Sequence, residues 1–124
     1  MRAIISIAAL TAASCTPTVA PTGGPLTAMT AGRVAGPPQT CVNANSGANL
    51  HAVDAETLVY RDGSTVYVNS LGGRCSGLSE VSTIIMQVQT GQFCRGDHFR
   101  AQEPGSIIPG APCNLGNWVP FRHP

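Results

Sequence analysis

Apolar and polar residues along this chain fall into short runs of four to eight, and no window of ten residues carries a helical period. Leu50 to Val53 reads as a short strand. Thr57 to Arg61 and Ser64 to Asn69 read as two more, joined at Asp62-Gly63, the clearest hairpin signal in the sequence. Side-chain parity argues for a three-residue turn with Gly63 left-handed, because it gathers Leu58, Tyr60, Val66 and Val68 on one face of the hairpin. Val81 to Val88 is rich in β-branched residues, and Ile84-Ile85-Met86 is apolar on consecutive positions, so this segment is expected to be the central strand. Gln92 to Cys94, Asp97 to Gln102 after an Arg95-Gly96 bulge, and Trp118 to Phe121 complete the set, with Trp118 and Phe121 closing the core. The expected fold is all-β, a small antiparallel barrel or sandwich of about five or six strands.

The amino-terminal third differs. Met1 to Ser14 has the form of an export signal, with Arg2 ahead of the apolar stretch Ala3 to Leu10, which is too short to span a bilayer. Ala12, Ala13 and Ser14 then precede Cys15 in the manner of a bacterial lipobox, although Ala12 stands where leucine is usual. Lipidation of Cys15 is therefore expected, with simple secretion as the alternative. Residues 15–40 are dominated by Thr, Pro, Ala and Gly and read as a flexible tether. The β domain is placed at Cys41 to Pro124. Together these features predict an extracytoplasmic protein of the periplasm or outer membrane, with the membrane as a partner through its lipid anchor.

Composition narrows the chemistry. The chain has 124 residues, a formal net charge of +1 and no lysine, which excludes Schiff-base catalysis and a phosphate-loop lysine. Its arginines are interspersed with acidic residues, so there is no footprint for nucleic acid. So small a domain has a thin stability margin, and Cys41, Cys75, Cys94 and Cys113 are expected to staple it. Cys75 and Cys94 bracket the expected central strand, while Cys41 and Cys113 open the first and last segments. The predicted pairs are accordingly Cys75 with Cys94 and Cys41 with Cys113.

Several constellations offer residue types without the spacing their chemistry needs. Cys94, His98, His51 and His123 are not arranged as close pairs of zinc ligands, and no metal or cofactor is expected. Ser76, His98 and Asp97 supply the types of a catalytic triad but no nucleophile elbow. Arg95-Gly96-Asp97 matches an adhesion tripeptide but reads better as a bulge whose Asp97 carboxylate accepts backbone N–H bonds. Arg95, Asp97, His98 and Arg100 form the one candidate polar site. Alternation there sets Asp97 and Phe99 inward and His98 and Arg100 on the opposite face.

The pattern Tyr67-x-Asn69-x-Leu71-x-x-x-Cys75-x-Gly77-Leu78, with Cys94-x-Gly96-Asp97 and Cys113-x-Leu115-Gly116, resembles a family of small exported bacterial proteins described only as a domain of unknown function. The resemblance spans most of Cys41 to Phe121 and implies export and fold, with no activity attached. Ser76-Gly77 is similar to a Ser-Gly loop of the periplasmic lysozyme inhibitors, but the tyrosine that should follow is absent, so that likeness implies architecture alone. The expected function is a non-enzymatic binding or structural role in the cell envelope, toward a protein or a glycan. The alternative is a small periplasmic hydrolase or metal-binding enzyme, which a deep polar pocket containing two or more of His51, Asp97, His98 and Arg100 would favour.

Overall fold

The computed structural model describes residues 13, 24–44, 49–87 and 90–124. The signal segment Met1 to Ser14 apart from Ala13, the lipidation candidate Cys15, the turn residues Asn45 to Gly47 and Val88 lie outside them. A short helix α1 (Pro25–Thr30) comes first, followed by β1 (Val34–Ala35), β2 (Cys41–Asn43), β3 (Leu50–Asp54), β4 (Thr57–Asp62) and β5 (Thr65–Ser70). The second half contributes β6 (Thr83–Met86), β7 (Gln92–Cys94), β8 (His98–Gln102), β9 (Cys113–Asn114) and β10 (Trp118–Arg122). All pairings are antiparallel. They make a five-stranded sheet ordered β1-β10-β5-β4-β3, a two-stranded sheet β2-β7 and a three-stranded sheet β6-β8-β9. The all-β class is as expected, and the arrangement is sandwich-like, not a closed barrel.

The hairpin register fixes everything around it. Asp62 pairs with Thr65 and Tyr60 with Tyr67, so the turn is the two-residue loop Gly63-Ser64 rather than the expected three-residue one. Gly63, with φ 59°, takes the first loop position as a type II′ turn requires. This shift of one residue separates the apolar side chains that parity had gathered on one face. Leu58, Tyr60, Tyr67 and Asn69 now share a face with Trp118, whereas Val59, Val66 and Val68 line the other. The parity argument assumed one wet face, and this sheet is covered on both.

On the first face, the two small sheets deliver Val42, Phe93, Phe99 and Ala101 against Leu50, Ala52, Leu58, Tyr60 and Trp118. Trp118 is fully buried, and its Nε1 donates to the Phe93 carbonyl at 2.9 Å, so the indole adds a polar tie to its apolar burial. Tyr60 meets Phe93 edge-on with ring centroids 5.5 Å apart. On the second face Leu26 and Met29 of α1, with Phe121, cover Val53, Val59, Val66 and Val68. A bulge between Ala52 and Asp54 accompanies the turn of Val53 to this side.

The segment expected to be a free tether is thus, over residues 24–40, part of the fold. A six-residue helix has no independent stability in water, so α1 exists because its Leu26 and Met29 dock. Pro25 supplies a preset φ at its start. Arg33 pins its end, donating from Nη1 to the Met29 carbonyl at 2.9 Å and from Nε to the Ser64 carbonyl at 3.2 Å. Beyond it the chain runs along β10. Gln39 and Trp118 exchange backbone hydrogen bonds of 2.8 and 2.9 Å, and Gly36 N–H donates to the Pro120 carbonyl at 2.7 Å. Proline has no N–H to return. Pro120 would suit an outer strand, and the amino-terminal segment covers that edge.

The disulfides are Cys41–Cys94 and Cys75–Cys113, which corrects the predicted pairing. Cys41 and Cys94 face each other across β2 and β7, and β2 is not among the strands expected from the sequence. The other premise also fails. β6 is an outer strand of the three-stranded sheet, with Ile84, Ile85 and Met86 each half-buried and Val81 exposed, so no central strand stands between Cys75 and Cys94. Two intact disulfides mark an oxidising, extracytoplasmic setting. Among the described residues no helix is long and apolar enough to cross a membrane.

Candidate binding trench

The Cys75–Cys113 bridge joins two loops that are far apart in sequence, residues 71–79 and 103–113. In the first, Leu71 N–H donates to the Glu56 carbonyl at 2.9 Å and Cys75 N–H to the Ala55 carbonyl at 2.7 Å, which holds the glycine-rich stretch against the β3–β4 turn. Ser82 Oγ donates to the Gly77 carbonyl at 2.6 Å and accepts from Ser79 N–H at 2.9 Å, closing the loop's far end. In the second, Glu103 to Ser106 form a turn with Ser106 N–H on the Glu103 carbonyl at 3.1 Å and Gly105 left-handed at φ 82°. Gln102 Nε2 donates to the Ser106 carbonyl at 2.7 Å, and Gly110 N–H to the Ala101 carbonyl at 2.8 Å. The loops touch at Gly110, where a side chain would meet the carbonyl oxygens of Ala101 and Ser76 at 3.0 and 3.1 Å. Ile107 and Ile108 do not pack into the core despite their apolar character. They stand 91% and 74% exposed.

Three adjoining depressions follow the junction. The first, about 300 Å³, lies between Leu71 to Cys75 and Pro112 to Asn114. The middle one, about 450 Å³, is lined by Ala55, Leu78, Arg74, Ser76, Ser79 and Glu103. The last, about 110 Å³, adds Ser106, Ile108 and Gly110 to Ser76 and Glu103. Arg74 divides the first from the second; Ser76, Gly77 and Glu103 are shared by the second and third. The result is an open, mostly polar trench with walls fixed by a disulfide and backbone hydrogen bonds. It is suited to holding an extended ligand on a surface, since it encloses none.

The polar residues singled out from sequence stand elsewhere. Arg95 is exposed in the turn before β8, with its N–H on the Thr40 carbonyl at 2.8 Å. Asp97 is half-buried and accepts Cys94 N–H on Oδ2 at 2.7 Å, while its own N–H donates to the Cys94 carbonyl at 3.0 Å. Arg95-Gly96 is thus a turn between β7 and β8 in place of the expected bulge, with Gly96 left-handed at φ 86°, while the carboxylate accepts a backbone N–H as expected. Phe99 is buried beneath it, His98 is exposed, and Arg100 Nη1 donates to the Gly110 carbonyl at 3.1 Å. Arg100 therefore braces the second loop, and none of His51, Asp97, His98 and Arg100 lines the trench. Among the described residues no three histidine, cysteine or acidic side chains converge as a metal site.

These contacts make Asp97 a structural residue with a measurable weight. A carboxylate bonded to a backbone N–H contributes about 1.5–3 kcal/mol, so Asp97→Ala is expected to lower the melting temperature by roughly 10 °C. His98→Ala, on an exposed face, should melt with the parent. Thermal denaturation of both variants checks the assignment, and a parental melting point for Asp97→Ala would overturn it.

No family model, curated protein or solved structure matches this chain, so the trench is read from its own residues alone. Several residues of the pattern noted above do have structural duties. Asn69 and Gly116 bond to one another, and Gly96-Asp97 makes the turn at Cys94. Missing from the sequence reading were Arg74 and Glu103, which lie far apart along the chain. The Cys75–Cys113 pair is the signal that would have joined them.

Proposed function

We propose that this chain is an exported envelope domain, lipid-anchored at Cys15, that acts by binding rather than by catalysis. Its ligand is an extended polar molecule of the cell envelope, laid along the trench between residues 71–79 and 103–113. The carrying observation is the trench itself: three continuous polar depressions between two loops that are cross-linked at Cys75–Cys113 and braced by backbone bonds. Such bracing removes the cost of ordering the loops on binding. The disulfides support the compartment, and the small residues ahead of Cys15 support the anchor.

Retention on isolated envelope material tests the reading. The exported chain carrying Cys15→Ser, free of lipid, should be retained, and adding Ser76→Trp should release it, because an exposed indole fills the middle depression without disturbing the core. Equal retention with and without Ser76→Trp would remove the trench from consideration. The anchor is checked separately by mass spectrometry of the mature terminus, where an acylated Cys15 is expected.

A further inference from the structure

Arg74 and Glu103 line the same middle depression, and both are exposed charges. Neither side chain makes a hydrogen bond or ion pair with another described residue. Each is nevertheless held near a fixed backbone. Arg74 precedes Cys75, which is locked by its disulfide and by its N–H on the Ala55 carbonyl at 2.7 Å. Glu103 opens the turn to Ser106 and leans over Gly77, where a Cβ would lie 3.5 Å from its Cγ and 3.8 Å from its Oε1. Gly77 is left-handed at φ 79°, a backbone conformation that glycine adopts without strain.

A site with one cation and one anion discriminates by charge pattern. A simple anion is drawn to Arg74 and repelled by Glu103; a simple cation meets the reverse; a neutral sugar engages neither charge. A ligand bearing both charges matches both. We infer that the middle depression takes a free amino acid or a dipeptide whose ammonium and carboxylate are both unblocked. The Arg74 guanidinium receives its carboxylate, the Glu103 carboxylate receives its ammonium, and the exposed Ser76 hydroxyl serves the polar atoms between. Ala55 and Leu78 offer a small apolar floor for a short side chain. The volume, about 450 Å³, is in the range of small-ligand sites. This inference rests on the binding role proposed for the trench and specifies its ligand.

The test is an NMR titration of the exported chain carrying Cys15→Ser with alanyl-alanine, N-acetyl-alanyl-alanine and alanyl-alanine amide, with a neutral oligosaccharide alongside. Alanyl-alanine should shift the amides of residues 74–79 and 103. Each blocked analogue should bind about tenfold more weakly, the loss of one charge-assisted contact. The variants give a crossed pattern: Arg74→Gln should bind alanyl-alanine and its amide equally, and Glu103→Gln should no longer distinguish the acetylated form. Both side chains are exposed and make no hydrogen bond or ion pair with another described residue, so these substitutions should leave the fold intact. Equal binding of all three peptides, or no binding of alanyl-alanine, would overturn the inference. If only the oligosaccharide shifted the same amides, the trench would keep its binding role and lose its zwitterion. If no compound shifted them, while Ser76→Trp still released the chain from envelope material, the trench reading would stand without this ligand; with retention also unchanged, both would fall.

Discussion

Asn69→Leu is expected to destabilise the chain by about 2–6 kcal/mol. Asn69 is fully buried, and its amide acts as a surrogate peptide group. Nδ2 donates to the Gly116 carbonyl at 2.8 Å, and Oδ1 accepts Gly116 N–H at 2.8 Å. Leucine keeps the branching at Cγ but leaves both Gly116 groups without a partner beside the core. Each such group costs about 1–3 kcal/mol. A domain of this size has only about 5–15 kcal/mol to lose. Gly116→Ala approaches the same joint from the other side, since its Cβ would be driven into the Ser70 carbonyl oxygen. Far-UV circular dichroism and denaturant titration should show both variants shifted far below the parent, whereas Asn114→Ala, on an exposed neighbour of the joint, should not move. A parental midpoint for Asn69→Leu would mean that Gly116 finds other partners at little cost.

A chain that begins at Cys41 is expected to be unstable and to aggregate. Removing residues 24–40 uncovers Val53, Val59, Val66 and Val68, which Leu26 and Met29 cover, and strips Gly36 and Gln39 from β10. Burial of a large aliphatic side chain is worth about 1.5–3 kcal/mol, so the loss is on the order of 5 kcal/mol before the backbone bonds are counted. The exposed valine face and the opened β10 edge then invite association between chains. Comparing melting temperature and light scattering for chains beginning at Gly24 and at Cys41 measures the effect. Equal melting temperatures would return residues 24–40 to the role of a tether.

That second prediction also shows where the sequence was legible. The Asp62-Gly63 hairpin, the strand at Leu50 to Val53, the inward Phe99 and the final strand at Trp118 each follow from local chemistry, and each is present. Register was not local. The choice between a two- and a three-residue turn depended on whether the second face of the hairpin was wet, and its cover is a helix too short to show a period. Leu26 and Met29, three apart behind Pro25, were its signal. The trench was lost for a related reason. Val81 to Val88 has the composition of a central strand, which points Cys75 toward Cys94 and away from Cys113. Had Cys75 been joined to Cys113, the glycine-rich loop and the proline-rich loop would have met, and Arg74 and Glu103 with them.

Pairing of β1 with β10 ties the first described strand to the last. The five-stranded sheet therefore cannot be completed by any nascent chain whose Trp118 to Arg122 is still being made. Contacts this remote along the chain form slowly, because the intervening loop entropy is lost before the contact is gained. Until then the edges of β5 and β1 that face β10 have no partner. Once β10 is made, Gly36 can reach Pro120, Gln39 can reach Trp118, and Cys41, two residues beyond Gln39, lies in the strand that pairs with that of Cys94.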